Sequence, residues 1–368
     1  ANLDYLIALN AIDGLGPARI QKLISHFGDP QRIFKANDSE LAFCVFLPAQ
    51  VRANIRNFPV DDFLKKEYAL IKKHGVCVIS SSDKVYSDQL KEISDPPAVL
   101  YCKGNLELLQ QPAVGVVGCR RASIYGMAMA EKFAQELSDR GVVVVSGLAR
   151  GIDTAAHRGT LRAKGNTIAV LGSGLANVYP PENKKLFETI AEQGLAISEF
   201  SMSELPKPGN FPSRNRIISG LSLGIIVVEA ARRSGALITA DLALEQGREV
   251  FAVPGKIDSA SAQGVNELIK QGAKLVSCIE DVVEELQLPQ ALSIKNKEMP
   301  VEKKDIVQDK SFSEDEITIM KLLSARAVDI DAICQQCGLP IPSVSGILLN
   351  LELKGLIKQL PGKLFVLR

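Results

Sequence analysis

Seven short apolar segments between residues 114 and 277 constrain this chain more than anything else in it. They are Val114–Val117, Val142–Val145, Thr167–Leu171, Ala196–Ser198, Gly224–Val228, Val250–Val253 and Lys274–Ser277. Each is too short for a helix and has the composition of a strand buried on both faces. Helical stretches lie between most of them, such as Ser123–Arg140, where Ile124, Met127, Phe133 and Leu137 mark one face. Strands alternating with helices of this length predict a parallel, doubly wound α/β sheet. Val76–Ile79 and Ala98–Tyr101 add two upstream strand candidates, so the sheet unit is expected over residues 59–287.

In such a sheet the carboxyl ends of the strands share one edge, and the turns that leave them share a rim. Those turns are rich in glycine and arginine: Gly115-Val116-Val117-Gly118-Cys119-Arg120-Arg121, Ser146-Gly147-Leu148-Ala149-Arg150-Gly151-Ile152-Asp153, Gly172-Ser173-Gly174-Leu175, Arg232-Arg233-Ser234-Gly235 and Val253-Pro254-Gly255-Lys256. The third is followed by Tyr179-Pro180-Pro181-Glu182-Asn183-Lys184. The first turn lacks the G-x-G-x-x-G spacing of a dinucleotide site. The next strand ends in Ser146-Gly147, not in the acid that would hold a ribose, so no nicotinamide or flavin cofactor is expected. One basic turn could be a glycine turn with solvated arginines; several on one rim form a groove for phosphate, which guanidinium groups grip bidentately.

The stretch from Asn210 to Thr239 concentrates this signal. Phe211, Arg214, Asn215 and Arg216 precede an apolar strand, which leaves through Glu229 into Ser234-Gly235 at a helix start, where free N–H groups suit an anion. Arg214 and Arg216 are expected on a rim shared with Arg120. Phe211 offers a face for a nucleic-acid base, and equally suits a core anchor.

Other chemistry is weakly signalled. Net charge is +1, so nucleic-acid binding would rest on local clustering. His26, His74 and His157 are widely spaced, which disfavours a metal enzyme. Asp153 and His157 at i, i+4 suit an internally satisfied pair, and Glu229 suits a partner for Arg232 or Arg233. Cys334 and Cys337 form a lone C-x-x-C whose helical spacing points both into a small core. Seven cysteines without framework spacing fit a reducing cytoplasm, and the amino terminus lacks a secretory n-region. No apolar run approaches the roughly 20 residues of a membrane span.

The flanks differ from the sheet. Residues 1–58 read as short helices around Gly14-Leu15-Gly16-Pro17, a tight turn or a helix-hairpin-helix whose N–H groups would hold a DNA phosphate. This segment has six Lys/Arg against five Asp/Glu. Residues 288–312 read as a charged linker. Residues 313–368 follow the order helix, helix, turn, helix and two-stranded wing of a winged helix, with Glu314–Ser324, Asp331–Cys337 and Pro342–Lys354 helical. The wing strands are expected at Ile357–Leu360 and Leu364–Leu367, about Pro361-Gly362. Charges balance at six and six from Ser313 onward, so DNA binding and partner association are both open.

Taken together, Gly118-Cys119-Arg120, Leu148-Ala149-Arg150-Gly151-Ile152-Asp153, the run from Phe211 to Leu221, Glu229-Ala230 through Ala240, and the run from Glu245 to Gly255 resemble the DprA/Smf family of bacterial DNA-processing proteins. The resemblance implies an extended Rossmann-like domain between a helical front and a winged-helix tail. It implies a protein without catalytic turnover, cofactor or metal that binds single-stranded DNA during natural transformation, dimerises through the sheet domain and loads RecA. By motif position, Gly118 and Arg120 would grip the strand, with Phe211, Arg214 and Arg216 in the same pocket. Cys119 stands where relatives often have serine, a better phosphate donor. A pocket lysine of some relatives falls near Lys207, and Lys184 and Lys256 are further contacts. The rival reading is a nucleotide-processing hydrolase of the phosphoribohydrolase kind. It expects a Gly-Gly-x-Gly-Thr turn where this chain has Arg232-Arg233-Ser234-Gly235-Ala236-Leu237-Ile238-Thr239.

Overall fold

Short β-branched runs with no polar interruption become strands because both of their faces can be covered. In the computed structural model, which describes residues 2–288, 314–323, 328–353, 356–360 and 364–367, nine strands form one sheet, the inner ones buried on both faces and the edge strands partly exposed. They are β1 (Cys77–Ser80), β2 (Val99–Gly104), β3 (Ala113–Val117), β4 (Val143–Ser146), β5 (Thr167–Val170), β6 (Leu195–Ser198), β7 (Gly224–Val227), β8 (Glu249–Ala252) and β9 (Lys274–Leu275). The order across the sheet is β1-β2-β6-β5-β4-β3-β7-β8-β9. From β3 the chain winds outward through β4, β5 and β6, then returns to β7 on the other side of β3. All pairs from β6 to β9 are parallel, whereas β2 runs antiparallel to both β1 and β6. The expected parallel sheet therefore carries one reversed strand.

Side-chain alternation along β3 separates the two layers. Val114 and Val116 meet Phe133 and Leu137 of the helix Ile124–Ser138 on one face. Ala113 and Val117 meet Ile217 and Ile218 of the helix Asn210–Gly220 on the other. Both helices that open beside β3 are capped by serine: Ser123 Oγ accepts from the Gly126 N–H at 3.0 Å, and Ser234 Oγ from the Ala236 N–H at 3.3 Å.

The chain divides into two compact units, Ala1–Leu292 and Ser293–Arg368. The helical front lies within the first. Its helices, from Asn2–Asn10 to Val60–His74, enclose a core of Leu9, Ile20, Leu23, Ile33 and Leu41, and Ile7 packs with Val99 and Tyr101 of β2. Gly14 adopts φ +79° in the tight turn, and the Arg19 guanidinium donates to its carbonyl at 2.7 Å. The expected linker lies outside the described residues, apart from the buried Leu288 at its edge.

The second unit contains helices Glu314–Leu323, Ile330–Cys337 and Ile341–Leu353. Its strands are β10 (Val328–Asp329), β11 (Ile357–Leu360) and β12 (Leu364–Leu367), paired in the order β10-β12-β11. This is a winged helix with a third, two-residue strand that the sequence did not announce. Pro361-Gly362, Ser324 and Lys354 lie outside the described residues. Cys334 and Cys337 pack against the core around Ile333 and Leu348. Among the described residues no group of three metal-ligating side chains occurs, and no single helix is long and apolar enough to cross a membrane.

Candidate nucleic-acid interface

Because the chain leaves β3 toward β4 on one side and comes back to β7 on the other, the carboxyl end of β3 is a switch point, where the flanking connections diverge and leave a crevice. An open cavity of about 760 Å³ occupies this place. Its walls include Gly118, Cys119 and Arg120 after β3, Ala149 and Asp153 after β4, and Arg233, Ser234 and Gly235 after β7. Phe211, Arg214 and Asn215 of the helix Asn210–Gly220 also line it.

The turns after β3 and β4 are locked together by backbone. The Cys119 N–H donates to the Glu229 carbonyl at 2.7 Å, which ties the first turn to the end of β7. On the other side the Ile152 N–H donates to the Cys119 carbonyl at 3.3 Å. Gly151 makes that approach possible: it adopts φ +75°, and a Cβ there would stand 2.3 Å from the Cys119 carbonyl oxygen. The Asp153 carboxylate then accepts from the Gly147 N–H at 3.1 Å and the Ala149 N–H at 3.3 Å, which fixes the second turn.

Arg214 is the floor of the crevice. It is buried, and its Nη1 donates to the Gly147 carbonyl at 2.6 Å and to the Val170 carbonyl, so it bridges the ends of β4 and β5. Gly147 is required beneath it, since a Cβ there would lie 2.5 Å from Nη2. Burial pulls this guanidinium down to about 10, with Asp153 opposing the shift and Arg120 adding to it. The same burial raises the Asp153 carboxyl, with Arg214 as the largest opposing influence. Arg214 stays charged at neutral pH and serves as a fixed, desolvated positive floor.

Arg120 is the exposed counterpart on the cavity wall, and its guanidinium lies over the Phe211 ring, 5.1 Å from the centroid. Phe211 in turn meets Tyr179, with centroids 5.7 Å apart and planes tilted by 52°. Phe211 is thus neither a core anchor nor an open stacking surface. Its ring is half-buried, and one face is covered by the chain's own arginine.

Arg216 departs from the expected rim. Residues 210–220 form a helix, and two positions along a helix rotate a side chain by about 200°. Arg214 therefore turns into the crevice while Arg216 turns to the far side. There it is buried in ion pairs with Glu199 at 2.6 Å and Asp95 at 2.9 Å. On a strand the two would have shared a face; no apolar periodicity at Asn210–Arg216 announced the helix.

The other basic candidates are dispersed. Arg150 borders a small recess beside the cavity, with Gly147, Tyr179 and Phe211, and is paired with Glu182. Lys207 pairs with Glu204 at 2.7 Å, between the cavity-lining Pro206 and Pro208. Arg121, Lys184 and Lys256 are exposed and do not line the cavity. Lys184 lies near His74, whose pKa is lowered chiefly by burial and further by Lys73, Lys103 and Lys184.

Two expected carboxylate pairings are corrected. Asp153 and His157 do not pair: His157 Nδ1 bonds the Thr167 hydroxyl at 2.7 Å, and burial holds the ring neutral with its pKa at about 3. Glu229 meets neither Arg232 nor Arg233. It accepts from the Ser123 N–H at 3.0 Å and the Ser123 hydroxyl at 2.8 Å. Burial, and next the nearby Glu229, push the Cys119 thiol up to about 11, so it stands in the cavity wall as a neutral thiol. Tyr179 and Asp153 were not marked as lining residues, although both lie in turns that the sequence singled out.

The architecture is shared with known proteins. A family model described as DNA recombination-mediator protein A matches residues 77–287, and one described as DprA winged helix domain matches residues 308–363. Protein Smf of Escherichia coli is 42% identical over 291 residues, covering 77% of this chain and 76% of that protein. DNA processing protein DprA of Bacillus subtilis is 43% identical over 241 residues, 64% of this chain and 81% of that protein. The solved DprA of Streptococcus pneumoniae superposes with a TM-score of 0.67 at 39% identity, covering 77% of this chain and 97% of that one. DNA processing protein A of Helicobacter pylori, solved to explain its single-stranded DNA binding mode, superposes with a TM-score of 0.53 at 31% identity, covering 58% and 95%. With the switch-point crevice, the winged helix and these relatives in agreement, the chain belongs to the DNA recombination-mediator protein A family, the DprA/Smf proteins.

Proposed function

We propose that the switch-point crevice binds single-stranded DNA and that the protein acts without turnover, as a carrier of incoming strands. The observation that carries this reading is the pairing of an exposed Arg120 over Phe211 with the buried cation Arg214 beneath, in a crevice open to solvent. A backbone phosphate has two guanidinium groups to meet there, and a base can replace Arg120 on the aromatic face. The single-stranded DNA binding of the Helicobacter pylori relative supports the same use. The carboxylates that hydrolysis would call on are engaged in holding turns, Asp153 on two N–H groups and Glu229 on Ser123, which supports a binding role.

Membership in the family extends the proposal: a homodimer formed through the sheet domain that hands the strand to RecA during natural transformation. Arg120→Ala tests the core of it. Titration of a labelled oligothymidylate at several salt concentrations should show weaker binding and a slope reduced by about 0.7, the loss of one phosphate contact. Unchanged affinity and slope would remove the crevice from the reading. Release of free base from nucleoside monophosphates, lost on Glu229→Gln, would replace it with the hydrolase. Light scattering of the full chain tests the dimer.

A further inference from the structure

The recess beside the main cavity repeats the arrangement of Arg120 and Phe211. The Arg150 guanidinium lies over the Tyr179 ring, 5.8 Å from its centroid, and Tyr179 touches Phe211. The result is a continuous row, Arg120, Phe211, Tyr179, Arg150, with each aromatic ring covered by its own arginine. The loop that presents Tyr179 is firmly built. Asn183 is buried, and its Nδ2 donates to the Leu148 carbonyl and to the Thr154 hydroxyl, both at 2.8 Å. This fixes the loop of residues 179–183 against the turn that carries Arg150.

One feature breaks the repeat. Among the described residues no carboxylate is bonded to Arg120, whereas Arg150 Nε donates to the Glu182 carboxylate. Both side chains of that pair remain about half exposed, at 47% and 51%. Pairs so exposed contribute little to stability, so the contact is readily exchanged for another anion.

We propose that Tyr179 and Arg150 form a second nucleotide subsite beside Phe211 and Arg120, and that Glu182 is its internal competitor, an anion that occupies Arg150 until a strand phosphate replaces it. The proposal rests on the single-stranded DNA reading of the crevice. Binding at the second subsite exchanges one carboxylate for one phosphate on the same guanidinium. That exchange frees Glu182 to attract cations from solution, which offsets the counterion release from the strand. The subsite therefore adds a stacking face and specificity for a longer strand, at reduced salt sensitivity.

The test is fluorescence anisotropy of the full chain with labelled oligothymidylate across a salt series, on wild type, Glu182→Gln, Arg150→Ala, Tyr179→Leu and the Arg150→Ala/Glu182→Gln double variant. Glu182→Gln is expected to tighten binding about threefold and steepen the salt slope by about 0.7. The gain should vanish in the Arg150→Ala background. Tyr179→Leu keeps an apolar side chain but no π-face, and should weaken binding at least about fivefold with the slope unchanged. A Glu182→Gln variant that binds as wild type does overturns the proposal, as does a gain that persists without Arg150, since that would be a general charge effect. Tyr179→Leu binding at wild-type strength overturns it equally. If wild type itself fails to bind the oligonucleotide, the crevice reading falls first and the subsite with it.

Discussion

Replacing Arg214 with methionine separates the floor of the crevice from its wall. Methionine approximates the arginine stem, so the change removes the guanidinium with little loss of packing. The Gly147 and Val170 carbonyls then lose their shared donor, and the Asp153 carboxylate loses its buried counter-charge. Removing one partner from a buried charged cluster of this kind costs about 3–5 kcal/mol. Arg120→Ala, at an exposed position, should stay within about 0.5 kcal/mol of wild type. The defect should also depend on pH. Burial already raises the folded-state pKa of Asp153, and loss of Arg214 raises it further. A carboxyl with a raised folded pKa binds more protons folded than unfolded, so its contribution falls as pH rises from the unfolded pKa through the folded one. Arg214 also helps to depress His157, so its loss eases the protonation of that ring at low pH. Both effects make the Arg214→Met defect largest near neutrality and smaller in acid. Urea unfolding followed by far-ultraviolet circular dichroism at several pH values measures this. A defect below about 1 kcal/mol, or one constant with pH, would refute the argument that Arg214 and Asp153 compensate each other.

Other outcomes follow from the same geometry. Arg216→Ala should destabilise by about 3–5 kcal/mol through the stranded Glu199, while the salt slope of oligonucleotide binding in the folded fraction stays as in wild type. A reduced slope would return Arg216 to the crevice. Gly151→Ala should cost at least about 1–3 kcal/mol and weaken strand binding, because a Cβ at that φ collides with the Cys119 carbonyl; unfolding midpoints and anisotropy would show both. Alkylation of Cys119 by iodoacetamide, followed by peptide mass spectrometry with the exposed Cys77 as reference, should keep accelerating up to a midpoint at about pH 11. Glu229→Gln should move that midpoint down, and an unshifted midpoint would show that Glu229 does not act on the thiol.

The strands were legible because burial on both faces removes polar residues from a short run, and all nine expected segments appear within a few residues of their places. The direction of β2 was not legible, since a buried strand reads alike in either sense. Gly118 and Arg120 could be placed at the rim because the strand ends of a wound sheet share an edge, whereas Phe211 and Arg214, which precede a strand, joined them through the family resemblance. Arg216 could not, because Asn210–Arg216 begins a helix with polar residues and so hides the rotation that separates it from Arg214. The partners of Glu229 and Asp153 were also hidden. Both accept from backbone N–H groups in turns, and such contacts leave no charge pattern in the sequence. Arg120 covering Phe211 was equally invisible, since it depends on how closely two turns approach.

The bridge made by Arg214 has a further consequence for how the protein is made. The carbonyls it satisfies belong to residues 67 and 44 positions earlier in the chain. During synthesis, β4 and β5 leave the ribosome well before the helix that supplies their donor. A nascent chain ending short of residue 210 presents these carbonyls to water and has no floor to its crevice. The crevice thus gains its floor only after the first six strands of the sheet have been made.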